Sequence, residues 1–168
     1  MKALGWLMVI GLIAWGVISA QSNSVGSNGG KTAAVAFTEP PQALPLSGPM
    51  GIENPGVAPL TITTRNDGYN YFVKVAHPGT TQSVSEFFIR SGESVVTQVP
   101  LGTYELKYAS GKTWYGPVHM FGPETSYSKA DTQFDFVDNG YQVSGYTVEL
   151  YTQANGNLRM SGISANQF

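Results

Sequence analysis

Residues 58–168 predict an all-β domain, an antiparallel β-sandwich of seven or eight short strands, preceded by an N-terminal apolar helix and a disordered Pro/Gly/Ser-rich tether. Three observations carry that prediction. Apolar and polar residues alternate with period two in a series of short runs, the pattern of strands with one buried face. Turn-forming residues punctuate those runs about every 8–12 residues, and no stretch in the region sustains a helical period. Composition agrees, with 20 glycines and 12% aromatic residues against only 12% charged residues, a balance typical of small β-rich domains.

Residues 1–20 open with Lys2 and an apolar run from Ala3 to Ile18, ending in Ser19-Ala20-Gln21. A positive start, an apolar stretch and small residues fit a secretory signal peptide cleaved near Ala20. The run also approaches the roughly 18–20 apolar residues that cross a bilayer, and Trp6 and Trp15 lie near its ends as interfacial anchors do. Both readings stay open. Either one leaves Lys2 inside and exports the rest, so the location is extracytoplasmic, inner-membrane-tethered or periplasmic/secreted, with membrane contact only through this segment.

Residues 21–57 read as the tether. Gln21 to Gly30 is rich in serine, asparagine and glycine and holds too little apolar surface to offset the entropy of ordering it. Pro40, Pro41, Pro45, Pro49 and Pro55 follow, and proline supplies no backbone donor to a sheet.

The strands then come in order. Leu60 to Thr64 alternates cleanly and ends at the turn Asn66-Asp67-Gly68. Tyr69 to Ala76 puts Tyr69, Tyr71, Val73 and Val75 on one face and Phe72 and Lys74 on the other, and His77-Pro78-Gly79 closes it. Val84 to Arg90, Ser94 to Val99 and Thr103 to Tyr108 are separated by Ser91-Gly92-Glu93 and Pro100-Leu101-Gly102. Gln133 to Val137, Tyr141 or Gln142 to Tyr151 and Leu158 to Ile163 complete the set, with Asn155-Gly156 as a hairpin signal before the last. Trp114 to Asp131 breaks the rhythm: it is dense in aromatics and carries two Gly-Pro pairs, so it reads as a long loop.

Stability must come from an ordinary hydrophobic core, because the chain has no cysteine. The net charge of −2 offers nothing to nucleic acid. His77 and His119 stand apart, without the partners of a metal site, and the spacing of Asp131, Asp135 and Asp138 does not match a calcium loop, so no metal and no cofactor is expected. Ser126-Tyr127-Ser128-Lys129 satisfies the S-x-x-K pattern of serine enzymes acting on cell-wall peptides and β-lactams. That chemistry needs a helix to bring serine and lysine onto one face, whereas this motif follows Gly-Pro in a β-rich region.

Val99-Pro100-Leu101-Gly102-Thr103-Tyr104, leading into Glu105 to Tyr108, resembles the strand-turn-strand of carboxypeptidase-regulatory-like and PEGA-type β-sandwich domains. Leu101 to Gly116, Phe121 to Lys129 and Gly145 to Leu150 resemble small bacterial exported or membrane-tethered proteins of uncharacterised function. The first resemblance implies a non-catalytic sandwich, the second an envelope location. The leading expectation is a non-enzymatic binding or interaction module whose partner is an envelope protein or a glycan. Its contact residues are expected in the aromatic loop, at Trp114, Tyr115, His119, Phe121 and Tyr127; the alternative is that Trp114, Tyr115, Met120 and Phe121 fold back to plug one end of the sandwich as part of the core. The alternatives are an envelope serine hydrolase using Ser126 or Ser128 with Lys129, and a structural subunit that associates with itself through its sheet edges.

Overall fold

The computed structural model describes residues 36–53, 55–150 and 159–168. The apolar segment 1–20, the first part of the expected tether (21–35) and the Asn155-Gly156 turn lie outside the described residues. Ten strands lie among those described: β1 (Gly48–Glu53), β2 (Ala58–Thr64), β3 (Asn70–Ala76), β4 (Ser83–Ile89), β5 (Ser94–Val99), β6 (Gly102–Gly111), β7 (Ser126–Ala130), β8 (Phe134–Phe136), β9 (Tyr146–Leu150) and β10 (Met160–Gly162). The only helical pieces among the described residues are two 3₁₀ turns, Gly122–Glu124 and Ala165–Gln167, and no helix there is long and apolar enough to cross a membrane.

The strands form two sheets. The larger runs β1-β4-β3-β6-β7-β10, all antiparallel, and β8 pairs the start of β6. The smaller runs β5-β2-β9. Strand β2 carries Pro59 although it lies in the middle of this sheet. Its pairing with β9 begins one residue later, at Leu60, so the missing proline N–H costs no ladder bond on that side.

One apolar cluster joins the two sheets. Ala58, Leu60 and Ile62 of β2, Val95 and Val99 of β5, and Val148 and Leu150 of β9 meet Tyr71, Val73 and Val75 of β3, Phe87 and Ile89 of β4, and Leu106 and Tyr108 of β6. The expected alternation in β3 is realised: Tyr71, Val73 and Val75 are all buried in this cluster. Burying side chains of this size stabilises a fold by about 1.5–3 kcal/mol each.

A second cluster covers the opposite face of the large sheet. Phe72, Phe88 and Ala109 point there, and Trp114, Met120, Phe121 and Phe168 pack down on them. The alternation placed Phe72 on the face opposite Tyr71. It gave no sign that this face is also covered.

The all-β, mainly antiparallel architecture stands, with four differences from expectation. Strand β2 pairs β9 in parallel. Strand β7 lies inside the segment read as loop, because Ser126 to Ala130 lacks the apolar alternation that marks a strand but finds a partner in β6. Strand β1 falls in the segment read as tether and pairs β4. Residues 36–47 also dock on the domain despite their prolines: the Gln42 N–H donates to the Trp114 carbonyl (2.8 Å). The Arg90 guanidinium donates to the carbonyls of Pro45 (2.7 Å) and Leu44 (2.9 Å). Proline removes donors but keeps its carbonyl as an acceptor, and this segment is held by the Gln42 N–H as donor and by the Leu44 and Pro45 carbonyls as acceptors.

Candidate functional site

The aromatic loop divides into an inward and an outward set. Trp114 is buried, stacked on Phe72 with ring centres 6.1 Å apart and edge-on to Phe88 at 5.1 Å. Phe121 meets it at 5.3 Å. Strand β6 makes room by ending in glycine: a Cβ at Gly111 would lie 2.3 Å from the Cβ of Phe121. These two expected contact residues therefore spend their rings on the outer cluster, and neither offers a face to a ligand. Tyr127 is half-buried, packed on Phe168 at 5.1 Å.

The segment between Trp114 and Phe121 is a compact knot. The Tyr115 N–H donates to the Met120 carbonyl and the Met120 N–H to the Gly116 carbonyl, both at 2.7 Å. Closing this turn holds Met120 at φ 50°, a left-handed conformation that non-glycine residues seldom adopt. Burial of its side chain in the outer cluster offsets that strain. The Thr125 hydroxyl then accepts from the Phe121 N–H (3.0 Å) and donates to the Gly122 carbonyl (2.6 Å), fixing the following 3₁₀ turn.

The outward set is a patch of mixed chemistry. Phe37, from the docked upstream segment, meets Tyr115 edge-on with centres 4.9 Å apart and planes at 88°. It also meets His119 at 5.7 Å. The His119 Nε2 lies 3.9 Å from a carboxylate oxygen of Glu39, and both side chains are about half exposed. Val118 at the tip is 82% exposed. Of the five residues expected to bind, Tyr115 and His119 are thus brought together, while Trp114, Phe121 and Tyr127 serve packing. Phe37 and Glu39 were missed, because nothing in a proline-rich stretch signals that it folds back onto a loop some eighty residues on.

The serine-lysine arrangement does not assemble. Ser126 and Ser128 share a face of β7 with Ala130, which is in the inter-sheet cluster, and Ser128 hydrogen-bonds the Tyr108 hydroxyl. Lys129 points to the other face and pairs Glu105 at 3.5 Å. On a strand, residues one or three apart lie on opposite sides, so neither serine shares a face with Lys129. No group of three or more His, Asp or Glu residues placed to hold a metal ion occurs among the described residues.

A second polar feature lies on the outer face of the large sheet, beyond the aromatic cluster. Glu105, Lys107 and Lys129 form the floor of a cleft of about 220 Å³ between the Gly79–Thr81 turn and the Ile163–Gln167 segment. The alternation of Thr103 to Tyr108 does place Glu105 and Lys107 on one face, opposite Leu106 and Tyr108. What the sequence could not supply is the register that sets Lys107 beside both Lys74 and Lys129. Comparison with protein-family models, with curated proteins and with solved structures finds no match for this chain.

Proposed function

We propose that this chain is a non-catalytic, extracytoplasmic binding module of the bacterial envelope, built on a β-sandwich, and that it meets an envelope protein through the outward side of its aromatic loop. The observation that carries this reading is the division of labour in the loop: Trp114, Met120 and Phe121 lock it to the sheet, which holds Phe37, Tyr115, Val118 and His119 in fixed positions on the outside. A preformed patch loses less conformational entropy on binding than a mobile loop does. Export rests on the apolar run at residues 3–18.

A protein partner is favoured over a glycan. Sugar rings stack on flat aromatic faces, but the Phe37 and Tyr115 planes stand at 88° and make no shared platform. The exposed Val118 beside them suits an apolar side chain of a partner.

The test places a photocrosslinking amino acid at position 118 of the full-length protein in the producing cell, with the fully exposed position 141 as control. A discrete protein adduct from position 118 alone, lost in Phe37→Ser with the near-ultraviolet circular dichroism unchanged, is the expected result. An adduct that disappears on digestion with a glycan-cleaving muramidase means a glycan partner, and one at twice the chain's mass means self-association. Either of these, or no adduct, overturns the proposal.

A further inference from the structure

Along one side of the sandwich the large sheet reaches one strand further than the small one. Strands β4 and β5 follow each other in the chain and lie against each other across the core. Beyond β4 the large sheet continues with β1, whereas β5 is the last strand of the small sheet. Pro49 of β1 pairs Phe87, whose ring belongs to the inter-sheet cluster, so Pro49 faces the side of the small sheet. It is nevertheless exposed. Among the described residues nothing fills the position next to β5 and beneath β1, a notch one strand wide, about 4.8 Å.

The backbone of β5 on that side is unpaired. The Thr64 N–H donates to the Glu93 carbonyl at 3.0 Å, and bonded pairs recur at every second residue of an antiparallel ladder. Val95 and Thr97 therefore bond β2, while Ser94, Val96 and Gln98 turn their N–H and C=O groups away from it. The pairing of Gln98 with Pro59, which has no N–H to give, agrees with this parity. Native proteins blunt such edges with charge, proline, bulges or short strands. Strand β1 has an irregular register, β10 is three residues long, and β9 carries the exposed Glu149. Strand β5 has none of these devices: Ser-Val-Val-Thr-Gln-Val is uncharged and keeps an unbroken register with β2. Val96 is 77% exposed, and a cleft of about 400 Å³ opens beside it, lined also by Pro55, Pro59, Thr97 and Gln98. Leu46, just ahead of β1, is exposed as well. Unpaired backbone next to exposed apolar side chains marks an interaction edge.

We infer that β5 takes up one extended segment of a partner protein, uncharged and rich in β-branched residues, which adds as a fourth strand to the small sheet beneath β1. Main-chain bonds to Val96 and Gln98 supply the affinity, and alternate side chains of the segment meet Pro49 on one face and flank Val96 on the other. The lack of charge follows from β5 itself. It bears no charged side chain, and the Glu93 carboxylate at its head is already taken by the Ser47 hydroxyl. A charged residue in the notch would lose hydration without gaining a counterion. The width of the notch argues against a second copy: docked through the same edge, two copies would bring their overhanging β1 strands together before β5 met β5. The edge shares no residue with the patch of Phe37, Tyr115, Val118 and His119, so the two stand or fall separately.

The experiment uses the full-length protein in detergent, uniformly labelled with ¹⁵N, and the peptide acetyl-Thr-Val-Thr-Val-Thr-Val-Thr-amide at concentrations where the peptide is monomeric. The control is the same peptide with proline as its central residue. The expected result is that the Val96 and Gln98 amides exchange rapidly with solvent in the free protein and, saturably, roughly tenfold or more slowly with the peptide. The control peptide should leave them fast. Val96→Lys places a charge on the edge at an exposed position and should weaken binding roughly tenfold or more with the rest of the spectrum retained. Val96→Pro removes the outward N–H without touching the bonds to β2 and should do the same. Slow exchange of both amides before peptide is added means that the edge is already covered. A doubled mass in sedimentation that Val96→Lys abolishes means that a second copy takes it. Either of these, no saturable slowing, equal binding of the control peptide, or unchanged affinity in the variants overturns the assignment.

Discussion

Tyr71 carries the least favourable polar atom found in the core. Its ring is fully buried and meets Tyr108 edge-on at 5.5 Å, yet its hydroxyl has no hydrogen-bond partner among the described residues. Leaving a buried hydroxyl unsatisfied costs about 1–3 kcal/mol, because the water it gave up on folding is not replaced. Phenylalanine keeps the ring and its edge contact and removes the cost. Tyr71→Phe should therefore stabilise the protein by about 1 kcal/mol, read as a higher urea midpoint with the same slope. A lower midpoint would show that the hydroxyl does pair. The sequence placed Tyr71 on the buried face of its strand correctly, since alternation reports which way a side chain points. It could not report the missing partner, because a partner across the core comes from the packing of distant strands.

At the scale of elements, what was legible in the sequence were the strands whose own residues alternate, such as Leu60 to Thr64 and Tyr69 to Ala76, which β2 and β3 match to within a residue or two. Strands defined by a partner were not legible. Strand β7 has Ser-Tyr-Ser-Lys-Ala and forms because β6 offers a free edge. Strand β1 begins Gly-Pro-Met-Gly and forms because β4 does the same. The candidate site splits the same way: the aromatic density around Trp114 was visible, but which rings face in depends on Gly111 and on the return of residues 36–47. Arg90 anchors that return. Its guanidinium bridges the Leu44 and Pro45 carbonyls while its own N–H donates to the Ser47 hydroxyl at 2.9 Å. Arg90→Ala keeps the backbone bond and removes two charge-assisted ones. These are partly screened, so the expected cost is about 1–2 kcal/mol. Limited proteolysis should then cut between residues 36 and 47 well before the rest of the domain opens. Cleavage there at the rate of the native protein would mean that β1 and Gln42 hold the segment without Arg90.

For the molecule as a whole, the buried ionisable groups set opposite limits on alkaline stability. Burial raises the Tyr71 pKa far above its ordinary value, helped by the charge of Asp67, and it raises that of Tyr108 against the pull of the Ser128 hydrogen bond. In the unfolded chain both tyrosines lose their protons near pH 10. The folded protein holds those protons longer, so from about pH 10 upward the unfolded state binds fewer protons and stability falls with rising pH. Lys107 acts in the other sense. Burial lowers its folded pKa, so between that value and the unfolded value near 10.5 the unfolded state binds more protons and stability rises with pH. The stability these three groups contribute should therefore climb from the lowered Lys107 value upward and turn over near pH 10, with a falling limb of at most about 1.4 kcal/mol per pH unit for each tyrosine. Urea midpoints measured across the alkaline range should show this shape. Lys107→Met should flatten the rising limb, provided near-ultraviolet circular dichroism shows the fold retained, and Tyr71→Phe should reduce the falling limb without moving the rise. A profile in which Tyr71→Phe leaves the falling limb unchanged would mean that Tyr71 ionises in the folded state as readily as in the unfolded one. The two-sheet core around it would then be open to water.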